Sequence, residues 1–187
     1  MDIRLDLIRH YRWLRQYGLN DSHSGNLSVR YGTDYWITPT GAGADTLEAE
    51  ALVRCGLDSP APQGASLDAP LHRQVYLKNP DAGAVMHSHG PYSVAVTLGG
   101  EDFVPVDFEG QYYFARVPVL DIAYAAYVEQ APDAVSDALC EYPVVVVRGH
   151  GVYARGQDLN QAYKWTCSFE SSARTAFLAH LAGTRPD

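Results

Sequence analysis

Three histidines stand where a divalent ion could be held. His87 and His89 close the apolar run "AVMHSHG" (84–90), and His150 follows four valines in "VVVVRGHG" (144–151). Side chains alternate along a strand with a period of two, so His87 and His89 share one face and Ser88 takes the other. Two adjacent imidazoles pack poorly and repel when protonated. They make sense as nitrogen ligands with a divalent metal between them. Three neutral nitrogens leave a fourth coordination position open, which is the catalytic rather than the structural pattern for zinc. Such an ion acts as a Lewis acid on a carbonyl or enolate oxygen, or activates water. The competing reading is a surface pair plus an unrelated turn histidine. The recurrence of a histidine directly after a second apolar strand weighs against it. His10, His23, His72 and His180 read as ordinary helix or loop residues.

The elements that must position these histidines can be read from periodicity. A run of four valines marks a strand buried on both faces, and "AGAVMHSH" has the same character. If the two strands are neighbours, three imidazoles converge at one sheet edge. Upstream, Ile3, Leu7, Tyr11 and Leu14 recur at helical spacing and Gly18 supplies a stop. "NLSVRYGTDYWIT" reads as two short strands about a turn at residues 32–34, and "PTGAGADTL" as a glycine-rich loop. "CGLDSPAPQGASLDAP" reads as loop, and "PLHRQVYLKN" as a short helix with Pro70 in its first turn. "FVPVDF" and "ARVPVL" look like short β pieces, a helix is expected around 132–139, and a last helix over 159–181. Strands and helices are mixed rather than strictly alternating, which predicts an α+β or layered α/β architecture.

Composition narrows the function. The 187 residues fit one domain spanning 1–187, with 47% hydrophobic and 19% charged residues, as a globular chain requires. A net charge of −8 argues against nucleic acid and against anionic membranes as partners. Any anionic substrate must be held by local donors. Three cysteines without CxxC spacing favour a reducing, cytoplasmic setting. "MDIRLDLIRHYRWL" carries charges throughout and does not read as a signal peptide, and no apolar run is long enough to span a bilayer.

Four ordered stretches carry a resemblance: "GNLSVR" (25–30), "ITPTGAG" (37–43), "PDAGAVMHSH" (80–89) and "VVVVRGHGVYARGQDLNQAY" (144–163). Together they resemble the class II aldolase/adducin family, whose members include sugar-phosphate aldolases and 4-epimerases. The resemblance implies a three-layer α/β/α fold with a central, mainly antiparallel sheet. It implies zinc, or another divalent ion, on His87, His89 and His150, and a homotetramer. It implies a phosphate pocket at Gly25, Asn26, Thr40, Gly41 and Ser66. Backbone N–H groups of glycine turns and short polar side chains can hold phosphate without net positive charge. The activity implied is a metal-dependent aldehyde-lyase, in carbohydrate metabolism, that cleaves or forms a C–C bond of a small ketose phosphate through a metal-held enediolate.

The sequence departs from the family pattern at informative places. Where the aldolases carry a glutamate, this chain has Asp68, which suits a general base or an extra ligand and equally suits a helix N-cap before Pro70. Aspartate there resembles the 4-epimerase branch, yet Gln111 stands where the epimerases carry an acid/base aspartate. Tyr112 and Tyr113 lie where the aldolases have a tyrosine proton donor, and core or interface packing explains them as well. The usual serine pair before the acidic residue is Ser66-Leu67, which weakens a phosphate pocket and admits an unphosphorylated keto substrate. The alternatives are thus a 4-epimerase, a decarboxylase or lyase on a non-phosphorylated substrate, or a non-catalytic adducin-like module. The intact histidine set argues against the last.

Overall fold

A computed structural model describes residues 2–184. Helix α1 (Ile3–Gln16) starts at Asp2, whose side chain accepts from the Arg4 amide, and buries Leu7, Ile8, Tyr11 and Leu14. Strands β1 (Asn26–Tyr31), β2 (Asp34–Ile37) and β3 (Val53–Gly56) form a meander. Then come α2 (Ala69–Lys78), β4 (Ala84–Ser88) and two short helices, α3 (Pro91–Val96) and α4 (Phe108–Tyr113). The chain continues through β5 (Val119–Leu120), α5 (Tyr127–Glu141), β6 (Val144–Val147), β7 (Gly151–Gly156) and α6 (Leu159–Leu181).

The seven strands make one sheet in the order β3-β2-β1-β4-β7-β6-β5. Every pairing is antiparallel except β5 with β6 at the edge. Helices cover both faces. Leu27, Val29, Ala84 and Met86 face α1 and the start of α6, while Val144, Val146, Val152 and Ala154 face the rest of α6. The alternate residues Val85, Val145, Val147 and Tyr153 face α2 and α5. The expected three-layer α/β/α fold with a mainly antiparallel sheet is therefore present, and the valine run is buried on both faces.

Four details differ from the sequence reading. β4 and β6 are not neighbours, because β7 lies between them. His150 reaches the histidine pair because the tight turn after β6 folds back into β7. Helix α5 begins at Tyr127 rather than near Pro132. The amide that Pro132 lacks would have faced the carbonyl of Val128, an exposed residue in the first turn of this helix. Cys55 and Gly56 belong to β3, and Cys55 is core. The "FVPVDF" segment contributes only a bridge from Phe103 to Val117, and Asp107 caps α4 through the Gly110 amide.

Candidate active site

The site grows from one row of the sheet. Asn26 on β1 pairs with His87 on β4, and His87 pairs with Tyr153 on β7. Directly opposed residues of adjacent strands share a face, so these three side chains stand side by side toward α2 and α5. Gly25 turns the chain into this row with φ +71°, and a Cβ there would lie 2.6 Å from the His87 carbonyl. Past the end of β4, the His89 amide is held by the Leu19 carbonyl at 2.8 Å and by Asn20 Oδ1 at 3.0 Å. Gly151 lets the β6–β7 turn approach, since a Cβ there would sit 2.5 Å from His89 Cδ2 and 2.8 Å from His87 Cε1.

The three imidazoles converge. One potential ligand atom from each of His87, His89 and His150 falls in a group whose members all lie within 4.8 Å of one another. His87 Nδ1 meets the Val152 carbonyl at 3.1 Å, and only a donor can face a carbonyl. The Nε2 of His87 is therefore a lone pair, and it points at His89 Nε2, 2.9 Å away. Burial pushes the pKa of all three histidines down, most strongly for His87, and their mutual repulsion adds to it for His87 and His89. Neutral imidazoles whose ring nitrogens converge, with the hydrogen between His87 and His89 free to shift to the other nitrogen of its ring, fit a divalent ion.

Asp68 lies beside them at the start of α2. Its Oδ2 is 3.9 Å from His87 Nε2. It holds the N-cap position, but its side chain makes no capping hydrogen bond. The carboxylate instead accepts from Asn26 Nδ2 at 2.8 Å, from the Tyr127 hydroxyl at 2.7 Å and from the Tyr153 hydroxyl at 3.1 Å. Burial opposes its charge, whereas the bonds from Asn26 and Tyr127 favour the charged form and help to hold the carboxyl below its usual range.

The loops complete a cavity of about 530 Å³. A bridge between Pro39 and Ala65, with the Thr40 amide on the Gly64 carbonyl at 3.0 Å, joins the two segments read as a phosphate pocket. All nine residues singled out from sequence line this one cavity: Gly25, Asn26, Thr40, Gly41, Ser66 and Asp68, with His87, His89 and His150. Leu67 also lines it and is 61% exposed. Tyr112 and Tyr113 do not line it; Tyr113 packs edge-on against Trp165.

Two contributors escaped the sequence reading. Tyr153 stacks flat on His87 with centroids 4.1 Å apart, and Tyr127 stands edge-on to His150 at 4.7 Å. The signal for Tyr153 was the alternation of "GVYARG", legible only once β7 is known to pair with β4. Tyr127 had none, because it opens a helix whose start the sequence hides.

A three-layer α/β/α fold with a cluster of three histidines able to hold a metal ion is the class that fold and geometry define. Comparison with known proteins gives the family. Residues 5–177 match the model described as class II aldolase and adducin N-terminal domain. The chain belongs to the class II aldolase family. The crystal structure of L-fuculose-1-phosphate aldolase from Thermus thermophilus superposes with a TM-score of 0.91 at 32% identity, covering 99% of this chain and 98% of that one. L-fuculose phosphate aldolase of Methanocaldococcus jannaschii is 26% identical over 82% of this chain and 84% of its own. The 3,4-dihydroxyphthalate decarboxylase of Arthrobacter keyseri is 29% identical over 92% of this chain and 76% of its own. Enzymes of this family are metal-dependent, and the histidine cluster is where this chain can hold the ion. None of the described helices is long and apolar enough to cross a membrane.

Proposed function

We propose that this protein is a zinc-dependent aldolase-type lyase acting on a small ketose phosphate. The observation that carries the reading is the convergence of His87, His89 and His150 beside Asp68 in a cavity walled by glycine and hydroxyl loops. When bound, the ion supplies Lewis-acid stabilisation for negative charge developing on a substrate oxygen. The three histidines present it with neutral nitrogens, and the His87–Val152 bond fixes one ring's orientation. Asp68 moves the proton at the donor carbon. Gly25, Asn26, Thr40, Gly41 and Ser66 orient the phosphate, and β1 and the 39–41 loop set its distance from the histidines. The assembly we infer is a homotetramer, with Tyr112 and Tyr113 available to a neighbouring site. The test is to load the protein with zinc and follow cleavage of L-fuculose 1-phosphate and related ketose 1-phosphates to dihydroxyacetone phosphate. Release of that product supports the reading; bound metal without cleavage of any member overturns it.

One observation favours a second reading, a decarboxylase or lyase on an unphosphorylated keto substrate. The Thr40 hydroxyl is committed to the Ala65 carbonyl at 2.7 Å, the Asn26 amide nitrogen to Asp68, and Leu67 presents an apolar surface at the same end. Calorimetry with the phosphorylated and unphosphorylated forms of a glycolohydroxamate separates the two. Binding that depends on the phosphate favours the ketose phosphate; equal binding favours the keto substrate.

A further inference from the structure

Asp68, Tyr127 and Tyr153 form a triangle of oxygens. The Tyr127 hydroxyl lies 2.7 Å from Asp68 Oδ1, the Tyr153 hydroxyl lies 3.1 Å from Asp68 Oδ2, and the two phenol oxygens are in hydrogen-bonding contact with each other. An ionised carboxylate brings no hydrogen. Two phenol hydrogens then serve three contacts, and one added proton completes the set. Both carboxylate oxygens already accept bonds, with Asn26 Nδ2 a further donor to Oδ2 at 2.8 Å. Tyr153 is fully buried, whereas Tyr127 is half-buried on the cavity wall beside His150. An aspartate, one methylene short of a glutamate, thus carries on one of its oxygens a phenol that lines the same cavity.

We propose that Tyr127 is a catalytic residue of this site, passing a proton between the substrate and Asp68, with Tyr153 as the positioning residue that holds both. In the forward step the substrate's O–H or C–H bond breaks and its electron pair stays on the substrate. The proton forms a new O–H bond on Tyr127, while the hydrogen Tyr127 held moves to Asp68 Oδ1. Tyr127 is neutral before and after, and the negative charge passes from Asp68 to the substrate fragment. The reverse step follows the same path.

This rests on the aldolase-type reading, so the experiment reads both. Zinc-loaded wild type, Tyr127→Phe, Tyr153→Phe, Asp68→Glu and the Tyr127→Phe/Asp68→Glu pair are mixed with dihydroxyacetone phosphate in D2O. Hydrogen exchange is followed by NMR, and zinc affinity by competition with a chromophoric chelator. Tyr127→Phe is expected to lower the maximal exchange rate by about 100-fold or more, with half-saturation and zinc affinity within about threefold of wild type. The double variant is expected to recover about tenfold over Tyr127→Phe, because the longer carboxylate reaches the place of the lost hydroxyl. Tyr153→Phe is expected to cost less than Tyr127→Phe. A wild-type rate in Tyr127→Phe overturns the inference. So does a loss that matches lost zinc, a change in half-saturation alone, or no recovery in the double variant. Zinc-loaded wild type that exchanges nothing overturns the aldolase-type reading and the inference with it.

Discussion

Asp68 stands at the N-cap of α2 and caps nothing with its side chain. A carboxylate that merely capped the helix would be worth about 1 kcal/mol, and its loss would leave chemistry intact. Bonded instead to Asn26, Tyr127 and Tyr153 beside His87, it belongs to the cavity. Asp68→Asn is expected to keep one metal per chain by elemental analysis while turnover falls about 100-fold or more. Retained turnover would return Asp68 to a structural role. His87→Ala, His89→Ala and His150→Ala are each expected to lose stoichiometric metal in the same measurement, since each removes one of three nitrogens. His72, on the next turn of α2, differs in kind. It is fully buried, shares a 2.7 Å bond with Ser28, and its Nε2 has no partner. Burial pulls its pKa from 6.5 down to about 4, against the opposing pull of Asp68. The unfolded chain therefore binds the extra proton first as pH falls. This contribution to stability is fully present above pH 6.5, lost progressively from 6.5 to about 4, and flat below. It amounts to about 3 kcal/mol across that window. Urea unfolding at pH 7 and pH 5 should show a shallower acid loss in His72→Gln than in wild type.

At the scale of elements, the two turns around the histidines are tighter than side chains allow. Adding a Cβ at Gly151 drives it to 2.5 Å from both the Ser88 carbonyl and His89 Cδ2, neither of which can swing aside freely. Gly151→Ala is expected to cost about 1–3 kcal/mol by overpacking. It should also weaken zinc binding about tenfold or more in a chelator competition, because the atoms it displaces belong to ligands. Wild-type affinity would show that the turn relaxes independently of the ligands. These elements also show what the sequence could disclose. The boundaries of α6 and the β1–β2 turn were legible because their apolar periods and stop residues agree. The three fold layers were legible through the family resemblance of the four motif stretches, and the histidine set because two buried apolar strands are each closed or followed by histidine. β7 was not, because "GVYARG" opens on glycine and follows a turn signal, and it alone explains how His150 and Tyr153 arrive. The start of helix α5 is hidden because proline reads as a helix start, whereas Pro132 lies inside this helix, one turn past the exposed Val128. Asp68's bonding was hidden because a cap and a base share one sequence signature.

For the molecule as a whole, the histidine cluster joins parts that the chain otherwise leaves separate. His87 lies on the central strand β4 and His89 just past its end, while His150 sits in the turn from β6 into β7, the neighbour of β4. The sheet beneath them is packed by apolar side chains on both faces, which argues for a fold that stands without the ion. The cluster itself is another matter. It packs polar rings whose protonation burial disfavours, with two nitrogens facing each other at 2.9 Å. An ion that binds this arrangement and not the unfolded chain raises stability by mass action, about 2.7 kcal/mol at one hundred times its dissociation constant. For a chain of this size, each kcal/mol moves the melting temperature by about 2–4 °C. Removing metal with a chelator is therefore expected to lower Tm by roughly 5–10 °C relative to protein melted with excess zinc. The apoprotein should keep its far-ultraviolet circular dichroism, because no strand or helix needs the ion. The His87→Ala variant should melt at one temperature with or without zinc. A chelated wild type that loses its secondary structure at room temperature would mean that the ion organises the sheet, and that the three-histidine cluster is a folding nucleus as well as a catalytic one.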